Sequence, residues 1–163
     1  MSKLKGLLIA EKPSLKREIQ AVYNKYKSEL DYELEFDNQV GHILGLKLPK
    51  EVNAEKYGKT WNIADYPEVY PYEYKIASDK KGMYNQIKEK IKHGGFDFIV
   101  NAGDPDPEGQ LLIDETLIHI GNTLPIKRFW SNDITEGAIH SALKNLKDNH
   151  LYSGFYEAAL TRQ

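Results

Sequence analysis

The stretch that decides the fold lies in the second half of the chain and reads Phe96-Asp-Phe-Ile-Val-Asn-Ala-Gly-Asp104-Pro-Asp106-Pro-Glu108-Gly-Gln-Leu-Leu-Ile113. Its apolar beginning, residues 96–102, predicts a buried strand, and residues 107–120 predict a helix. Each aspartate precedes a proline, which keeps the aspartate in extended backbone. Asp106 suits the N-cap of the helix, and Pro107 suits its first position. The stretch therefore predicts a strand, a tight acidic turn and a helix.

Three carboxylates at alternate positions of this turn, Asp104, Asp106 and Glu108, point to a cation site. Side chains two residues apart in extended backbone point the same way, so Asp104 and Asp106 should project together. A bound cation relieves their repulsion, and carboxylate oxygens are the ligands that suit Mg²⁺. The opposing interpretation is an acidic helix start that is favoured by the helix dipole alone.

Length and composition limit the class of protein. A chain of 163 residues is the size of one domain, and the absence of cysteine excludes disulfides and zinc–thiolate sites. No apolar run approaches the roughly 18 residues of a membrane span, and the first 25 residues lack a signal-peptide pattern. We therefore expect a cytoplasmic protein with no membrane partner. A net charge of −2 means that any contact with nucleic acid is local or uses a metal ion.

The remaining chain alternates between apolar strands and amphipathic helices. This alternation predicts an α/β fold with a mostly parallel sheet and helices on both faces. Ser14 is the predicted N-cap of the first helix, Asp37-Asn38 the predicted turn of a hairpin, and Asp133 the predicted cap of a later helix. The predicted strands are residues 3–10, 72–77 and 125–130, the predicted helices are residues 14–27, 81–92, 134–149 and a last helix from residue 150, and the hairpin covers residues 31–46.

Glu11 and Asp104 each fall just past the carboxyl end of an apolar strand. Working sites of parallel α/β sheets lie at that edge. If the two strands are neighbours, Glu11 and the three acids of the turn share one crevice. The alternatives are that Glu11 is a solvated loop acid and that Lys12 is a surface lysine of a helix start.

Several motifs in order carry a resemblance to a known family. Residues 9–14 (Ile-Ala-Glu-Lys-Pro-Ser), Gly41-His42 and residues 102–112 together resemble the Toprim domain of type IA DNA topoisomerases, within that family topoisomerase III. Residues 128–135 (Arg-Phe-Trp-Ser-Asn-Asp-Ile-Thr) are similar to the segment that follows in those enzymes. Residues 158–163 resemble the helix leading out of the domain.

The resemblance implies a fold, a reaction and roles for individual residues. The fold would be a Rossmann-like Toprim domain over residues 1–155, with a small strand and loop insertion at residues 31–75. Residues 156–163 would begin a helix that leads into missing downstream domains. The family breaks one DNA strand through a transient phosphotyrosine, passes DNA through the gap and reseals it without ATP. The implied site residues are Glu11 and Lys12 as catalytic groups, Glu11, Asp104, Asp106 and Glu108 at the Mg²⁺, and His42 and Arg128 at DNA phosphates.

The partners implied are single-stranded DNA and the remaining domains of a longer chain. None of the eleven tyrosines stands in a matching motif, so we expect this chain to be inactive alone. One position departs from the family, which usually has arginine where this chain has Pro107. His42 is open to a second interpretation as a packed residue, and Arg128 to one as the partner of a surface acid or a support of the acid triad. The aromatic residues of one stretch are expected to form core rather than to stack on bases; they are Trp61, Tyr66, Tyr70, Tyr72 and Tyr74.

Two other classes of function remain open. A Toprim domain of a primase or nuclease shares the same glutamate and acid triad, and a tyrosine-linked DNA adduct would separate these enzymes from a topoisomerase. A non-catalytic metal- or phosphate-binding module, such as a receiver-like domain, is the other alternative. A receiver has its pair of acids early and a single aspartate later, whereas this chain has one acid early and three late.

Overall fold

Strands and helices alternate along the chain. The structure is a computed structural model that describes residues 2–57 and 73–162. Short 3₁₀ turns lie at Lys27–Glu29, Ser78–Lys80 and Asn149–Tyr152. In chain order the elements are β1 (Leu4–Ala10), α1 (Pro13–Tyr26), β2 (Tyr32–Asn38), β3 (Leu44–Leu46), α2 (Pro49–Val52), α3 (Ala54–Tyr57), β4 (Tyr74–Ile76), α4 (Lys81–His93), β5 (Phe98–Ala102), α5 (Pro107–Ile120), β6 (Ile126–Arg128), α6 (Glu136–Lys144), β7 (Lys147–Asp148) and α7 (Ser153–Leu160).

The central sheet has the strand order β2-β1-β5-β6-β7. The pairs β2–β1, β1–β5 and β5–β6 are parallel, and β7 runs antiparallel to β6. Ala10, the last residue of β1, is in register with Ala102, the last residue of β5. Separately, β3 and β4 form a small antiparallel pair. The predicted α/β class with a mostly parallel sheet is therefore confirmed, and the residues that follow β1 and β5 emerge side by side.

Helices cover both faces of the sheet. Successive residues of a strand point to opposite faces, so Leu8 and Leu7 belong to different cores. One core packs Leu8 and Val100 against α1 and α6, with Ile19 and Ile139 fully buried. The other packs Leu7, Ile9 and Ile99 against α4 and α5, through Ile87, Ile113 and Leu117. Burial on both faces explains why β1 and β5 are nearly continuous apolar runs.

The hairpin predicted around Asp37-Asn38 is wrong. β2 pairs in parallel with β1, and β3 pairs with β4 instead. Asp37 lies near the end of β2 and is 5% exposed. It forms an ion pair with Lys90 at 2.9 Å and accepts a hydrogen bond from Gln86 at 3.1 Å. The Asp37 carboxylate therefore joins β2 to α4 through two long-range contacts. The Asp37-Asn38 pair resembles a turn only when the neighbouring sequence is considered by itself.

Three helix ends also differ from the prediction. Pro13 occupies the first position of α1, which makes Lys12 rather than Ser14 the N-cap residue. The N-cap residue of α6 is Thr135, and Asp133 instead accepts hydrogen bonds from the Thr135 backbone N–H and hydroxyl. α6 ends at Lys144, well before residue 149, because Lys147 and Asp148 pair with β6.

Within the predicted strand and loop insertion at residues 31–75, residues 32–38 form β2 of the central sheet. Residue 155 falls inside α7, which packs against α5.

Most of the predicted aromatic cluster lies outside the described residues, namely Trp61, Tyr66, Tyr70 and Tyr72. Tyr74 packs against the core on the α4 and α5 side. Within residues 2–57 and 73–162, no helix has the length and apolar character that a membrane crossing requires.

Candidate active site at the carboxyl edge of the sheet

The parallel pairing of β1 and β5 brings Glu11 to the acidic turn. Glu11 follows β1 directly, and Asp104 lies two residues past β5. The Asp104 backbone N–H donates to Glu11 Oε2 at 2.9 Å, and the Glu11 side chain is only 13% exposed. The predicted proximity of Glu11 and Asp104 is therefore observed, and this hydrogen bond fixes the orientation of the Glu11 carboxylate.

Lys12 places a cation between two of these carboxylates. Its Nζ lies 2.5 Å from Asp104 Oδ2 and 3.9 Å from Glu11 Oε1. The hydrogen bond to Asp104 raises the pKa of Lys12 above its ordinary value, and the charges of Asp104, Glu11 and Asp106 act in the same direction. The Lys12 side chain is 53% exposed. The ammonium group therefore remains charged and open to an anionic ligand.

The turn itself is closed by its own backbone. The Asp106 N–H donates to the Asp104 carbonyl at 2.8 Å, which makes a three-residue turn centred on Pro105. Proline suits that centre because its ring holds φ near −65°. Asp106 is extended and accepts from the Gly109 N–H at 2.7 Å, while Pro107 occupies the first helical position. The predicted N-cap and the predicted helix, Pro107–Ile120, are both confirmed.

Two glycines allow the turn to lie directly on the first turn of α5. A β-carbon at Gly103 would lie 2.0 Å from the Gly109 carbonyl oxygen. A β-carbon at Gly109 would lie 2.3 Å from the Asp104 carbonyl oxygen and 2.5 Å from the Asp104 nitrogen. No side chain fits at either position because the obstructing atoms belong to the backbone.

His42 and Glu108 form the exposed side of the site. His42 Nε2 lies 2.6 Å from Glu108 Oε1, and the two side chains are 46% and 57% exposed. The loop after β2 therefore reaches the first turn of α5. His42, which was predicted to contact a DNA phosphate, instead contacts Glu108, which was predicted to bind the metal ion. The pair lies at the surface, where a ligand has access to both groups.

Arg128 lies beneath the turn rather than at the surface. It is 0% exposed, and its guanidinium donates to backbone carbonyls and to Gln110. Burial lowers its pKa to about 10, although nearby acids, Asp114 first, oppose that shift. This placement argues against a DNA phosphate contact and favours support of the acidic turn.

The sequence interpretation missed the polar residues around Arg128. Asn101, Gln110 and Asp114 are buried and hydrogen-bonded to one another, and Asn149 joins them from the segment before α7. A signal was present, since Asn101 interrupts an otherwise apolar strand and Gln110 and Asp114 lie four apart in an apolar helix. Buried polar side chains need partners, and this requirement points to a shared interior network.

The donor chemistry at this edge suits a divalent cation, but the side chains are not gathered around one point. Three carboxylates, those of Asp104, Glu11 and Asp106, act on the Lys12 ammonium group, and oxygen ligands of this kind fit Mg²⁺. In the described parts of the chain, no three acidic or histidine side chains converge as metal ligands. Asp104 is engaged by Lys12, Asp106 by the Gly109 N–H, and Glu108 by His42.

Comparison with known proteins bears on this arrangement. The chain is 32% identical over 166 residues to DNA topoisomerase 3 of Staphylococcus epidermidis. It is 30% identical over 167 residues to DNA topoisomerase 3 of Staphylococcus aureus. The predicted resemblance to topoisomerase III is confirmed. Each match covers 98% of this chain and 23% of the relative, so the chain spans about a quarter of the length of these topoisomerases.

A solved structure agrees on the fold. Full-length topoisomerase I from Thermotoga maritima matches 96% of this chain, and 23% of its own length, with a TM-score of 0.64. At 23% identity, this match to topoisomerase I is evidence for the fold alone. No family model matches the chain.

Proposed function

We propose that the chain supplies the metal-binding half of the strand-cleavage site of a type IA DNA topoisomerase similar to topoisomerase III. The protein would relax or decatenate DNA by passing one strand through a transient break in another. The observation that carries this proposal is the contact between Glu11 and the Asp104 turn at the end of two adjacent parallel strands. The likeness to DNA topoisomerase 3 over 98% of the chain supports it.

Glu11 is proposed to exchange a proton with the DNA hydroxyl group during cleavage and resealing. A general acid or base needs a fixed orientation within reach of the reacting oxygen. The Asp104 N–H provides that orientation through Glu11 Oε2, and Glu11 Oε1 faces the Lys12 ammonium. Lys12, exposed at the rim, is proposed to contact the phosphate at the break.

Asp104, Asp106 and Glu108 are proposed to hold Mg²⁺ together with Glu11. Bound there, the ion would help to position the phosphate and the 3′-hydroxyl group and would offset the negative charge that develops on their oxygens during resealing. To bind the ion, Asp104 would have to give up its contact with Lys12, and Glu108 would have to give up its contact with His42. The Lys12 ammonium would then be available to the phosphate, so metal binding and phosphate binding would support one another.

DNA contact by this chain is proposed to be local. With a net charge of −2, attraction to phosphate would come from Lys12, from His42 when protonated, and from the metal ion. The proposed DNA is single-stranded where it meets the site. The nucleophilic tyrosine would come from other domains of a longer protein, and the chain alone is expected to leave supercoiled DNA unchanged. We propose the cytoplasm as the location.

A chimeric enzyme tests the proposed function. This chain would replace the matched region of the Staphylococcus epidermidis DNA topoisomerase 3, and relaxation of supercoiled plasmid would be measured with Mg²⁺ present. We expect activity, and we expect Glu11→Gln to reduce it by about 10²- to 10⁴-fold, the usual contribution of a general acid or base. Glu33→Gln, an exposed carboxylate on the edge strand β2, is the matched control.

Two outcomes of the chimera experiment count against the proposal. A folded chimera that binds Mg²⁺ without forming a tyrosine-linked DNA adduct would favour the non-catalytic module. Equal activity of the Glu11→Gln and Glu33→Gln chimeras would remove Glu11 from the reaction.

A further inference from the structure

Arg128 makes an unusual set of contacts at the end of the central sheet. Its Nη1 donates to the carbonyl oxygens of Gly103 and Phe129 at 2.8 Å and of Asn101 at 3.1 Å. Its Nη2 donates to the Asp104 carbonyl at 2.8 Å. Three of these four carbonyls belong to the end of β5 and the acidic turn. The guanidinium therefore binds the backbone segment that carries the Asp104 side chain and leads into Asp106.

We propose that Arg128 is a positioning residue that sets the backbone of the acidic turn and thereby the direction of the Asp104 and Asp106 carboxylates. Its importance for catalysis rests on the function proposed above, but its effect on the turn does not. The Asp104 carbonyl oxygen is the central acceptor, because it accepts one hydrogen bond from Arg128 Nη2 and another from the Asp106 N–H that closes the turn. Without Arg128, only the Asp106 N–H would hold that carbonyl.

Arginine is required here for its shape as well as its charge. Its planar guanidinium presents donors in a rigid fork, whereas a lysine ammonium is a single point with rotatable donors. The carbonyls of Gly103 and Asp104 are reached by different nitrogens of the same fork. The Arg128 guanidinium carbon also lies 4.8 Å from the centre of the Trp130 ring, which covers the charge on another side.

A second layer of side chains holds Arg128 in place. Arg128 Nε donates to Gln110 Oε1 at 2.7 Å, and Gln110 Nε2 donates to Asp114 Oδ2 at 2.6 Å. Asp114 Oδ1 accepts from Asn101 at 2.9 Å and from Asn149 at 2.7 Å. The Gln110 side-chain amide thus joins the buried Arg128 cation to the buried Asp114 carboxylate. The Asp114 charge offsets the Arg128 charge although the two side chains are not in direct contact.

Backbone hydrogen exchange of the ¹⁵N-labelled chain tests this inference without metal or DNA. In Arg128→Met, the Asp104 and Asp106 amides should exchange on the order of tenfold faster, because each depends on the held turn. Leu143→Ala is the matched control, since it removes a fully buried side chain of α6 distant from the turn. In the control, exchange should rise across the chain in proportion to the lost global stability.

A second variant keeps the test decisive if Arg128→Met does not fold. Arg128→Lys retains a buried cation but loses the fork, and it should still accelerate exchange at Asp104 and Asp106 severalfold more than Leu143→Ala does. Acceleration confined to these amides supports the inference, whatever the chimera shows. Wild-type exchange at both amides in Arg128→Lys, or acceleration no greater than in Leu143→Ala, would overturn it.

Discussion

Gly109→Ala offers the sharpest test of how the acidic turn is built. The new β-carbon would lie 2.3 Å from the Asp104 carbonyl oxygen and 2.5 Å from its nitrogen. Both are backbone atoms, so no side-chain rotation relieves the overlap, and the turn must withdraw from α5 by roughly 1 Å to reach ordinary contact distance. That shift strains two hydrogen bonds of Asp104, one to the Glu11 carboxylate and one from the Arg128 guanidinium.

The size of the effect follows from these contacts. Hydrogen bonds to charged groups contribute about 1.5–3 kcal/mol each, and alanine regains about 1 kcal/mol of helix preference over glycine. The free energy of unfolding should therefore fall by about 2–5 kcal/mol. For a chain of this size, at about 2–4 °C per kcal/mol, the melting temperature would drop by roughly 4–20 °C.

Urea denaturation of the purified chain measures this change. Gly82→Ala is the matched control, because a β-carbon at that position of α4 meets no atom within 4 Å. It should leave stability unchanged or raise it by up to about 1 kcal/mol. If Gly109→Ala were as stable as Gly82→Ala, the close packing of the turn on α5 would be refuted.

Two further predictions concern pH. Hydrogen bonds from Lys25 and Tyr26 lower the pKa of Glu136 in the folded chain, so its contribution is complete above the ordinary carboxyl pKa and is lost as the pH falls through the folded value. Glu136→Gln should lower the melting temperature at pH 7, and the difference from wild type should shrink as the pH falls below the ordinary carboxyl pKa of about 4; the same difference at about pH 7 and about pH 3 would contradict this. The pKa of Lys12 is raised, so its contribution is complete below the ordinary lysine value and is lost as the pH rises through the folded value. The destabilisation caused by Lys12→Met should therefore shrink as the pH rises past the ordinary lysine pKa of about 10.4, and thermal melts at about pH 8 and about pH 11.5 that show the same deficit would count against it.

The acidic turn was predictable because its signals are local. Pro107 at the first helical position and Asp106 as a cap define the start of α5, and the structure gives the predicted bounds, Pro107–Ile120. The neighbouring position of β1 and β5 was a conditional prediction, based on where working sites lie in parallel sheets. It holds, and it places Glu11 against Asp104.

Elements that depend on distant partners were not predictable in the same way. Asp37 reads locally as a turn residue, but its position is set by Lys90 and Gln86 of α4. Likewise, residues 147 and 148 continue a helical pattern, but pairing with β6 makes them a strand. Competition between local preference and sheet pairing is decided by the whole fold, which a local pattern does not contain.

In the candidate site, too, local features were predictable and long-range contacts were not. The residue types at the carboxyl edge could be identified from their spacing, but the contacts among them could not. The sequence interpretation left Arg128 open between a DNA phosphate contact, a surface acid and support of the acid triad, and the structure places its fully buried guanidinium against the carbonyls of the turn. It also gave no indication that Lys12 and His42 would engage Asp104 and Glu108.

The most direct test of the central claim is a titration of the ¹⁵N-labelled chain with Mn²⁺, a paramagnetic substitute for Mg²⁺. At substoichiometric Mn²⁺, the first amide signals to broaden should be those at the acidic edge, namely Glu11, Lys12, Asp104, Asp106, Glu108 and Gly109. The double variant Asp104→Asn/Asp106→Asn should lose this broadening, whereas Asp31→Asn/Glu33→Gln, at the opposite edge of the sheet, should keep it. First broadening at other acidic residues, or equal broadening in the two double variants, would contradict a divalent-cation site at the acidic turn.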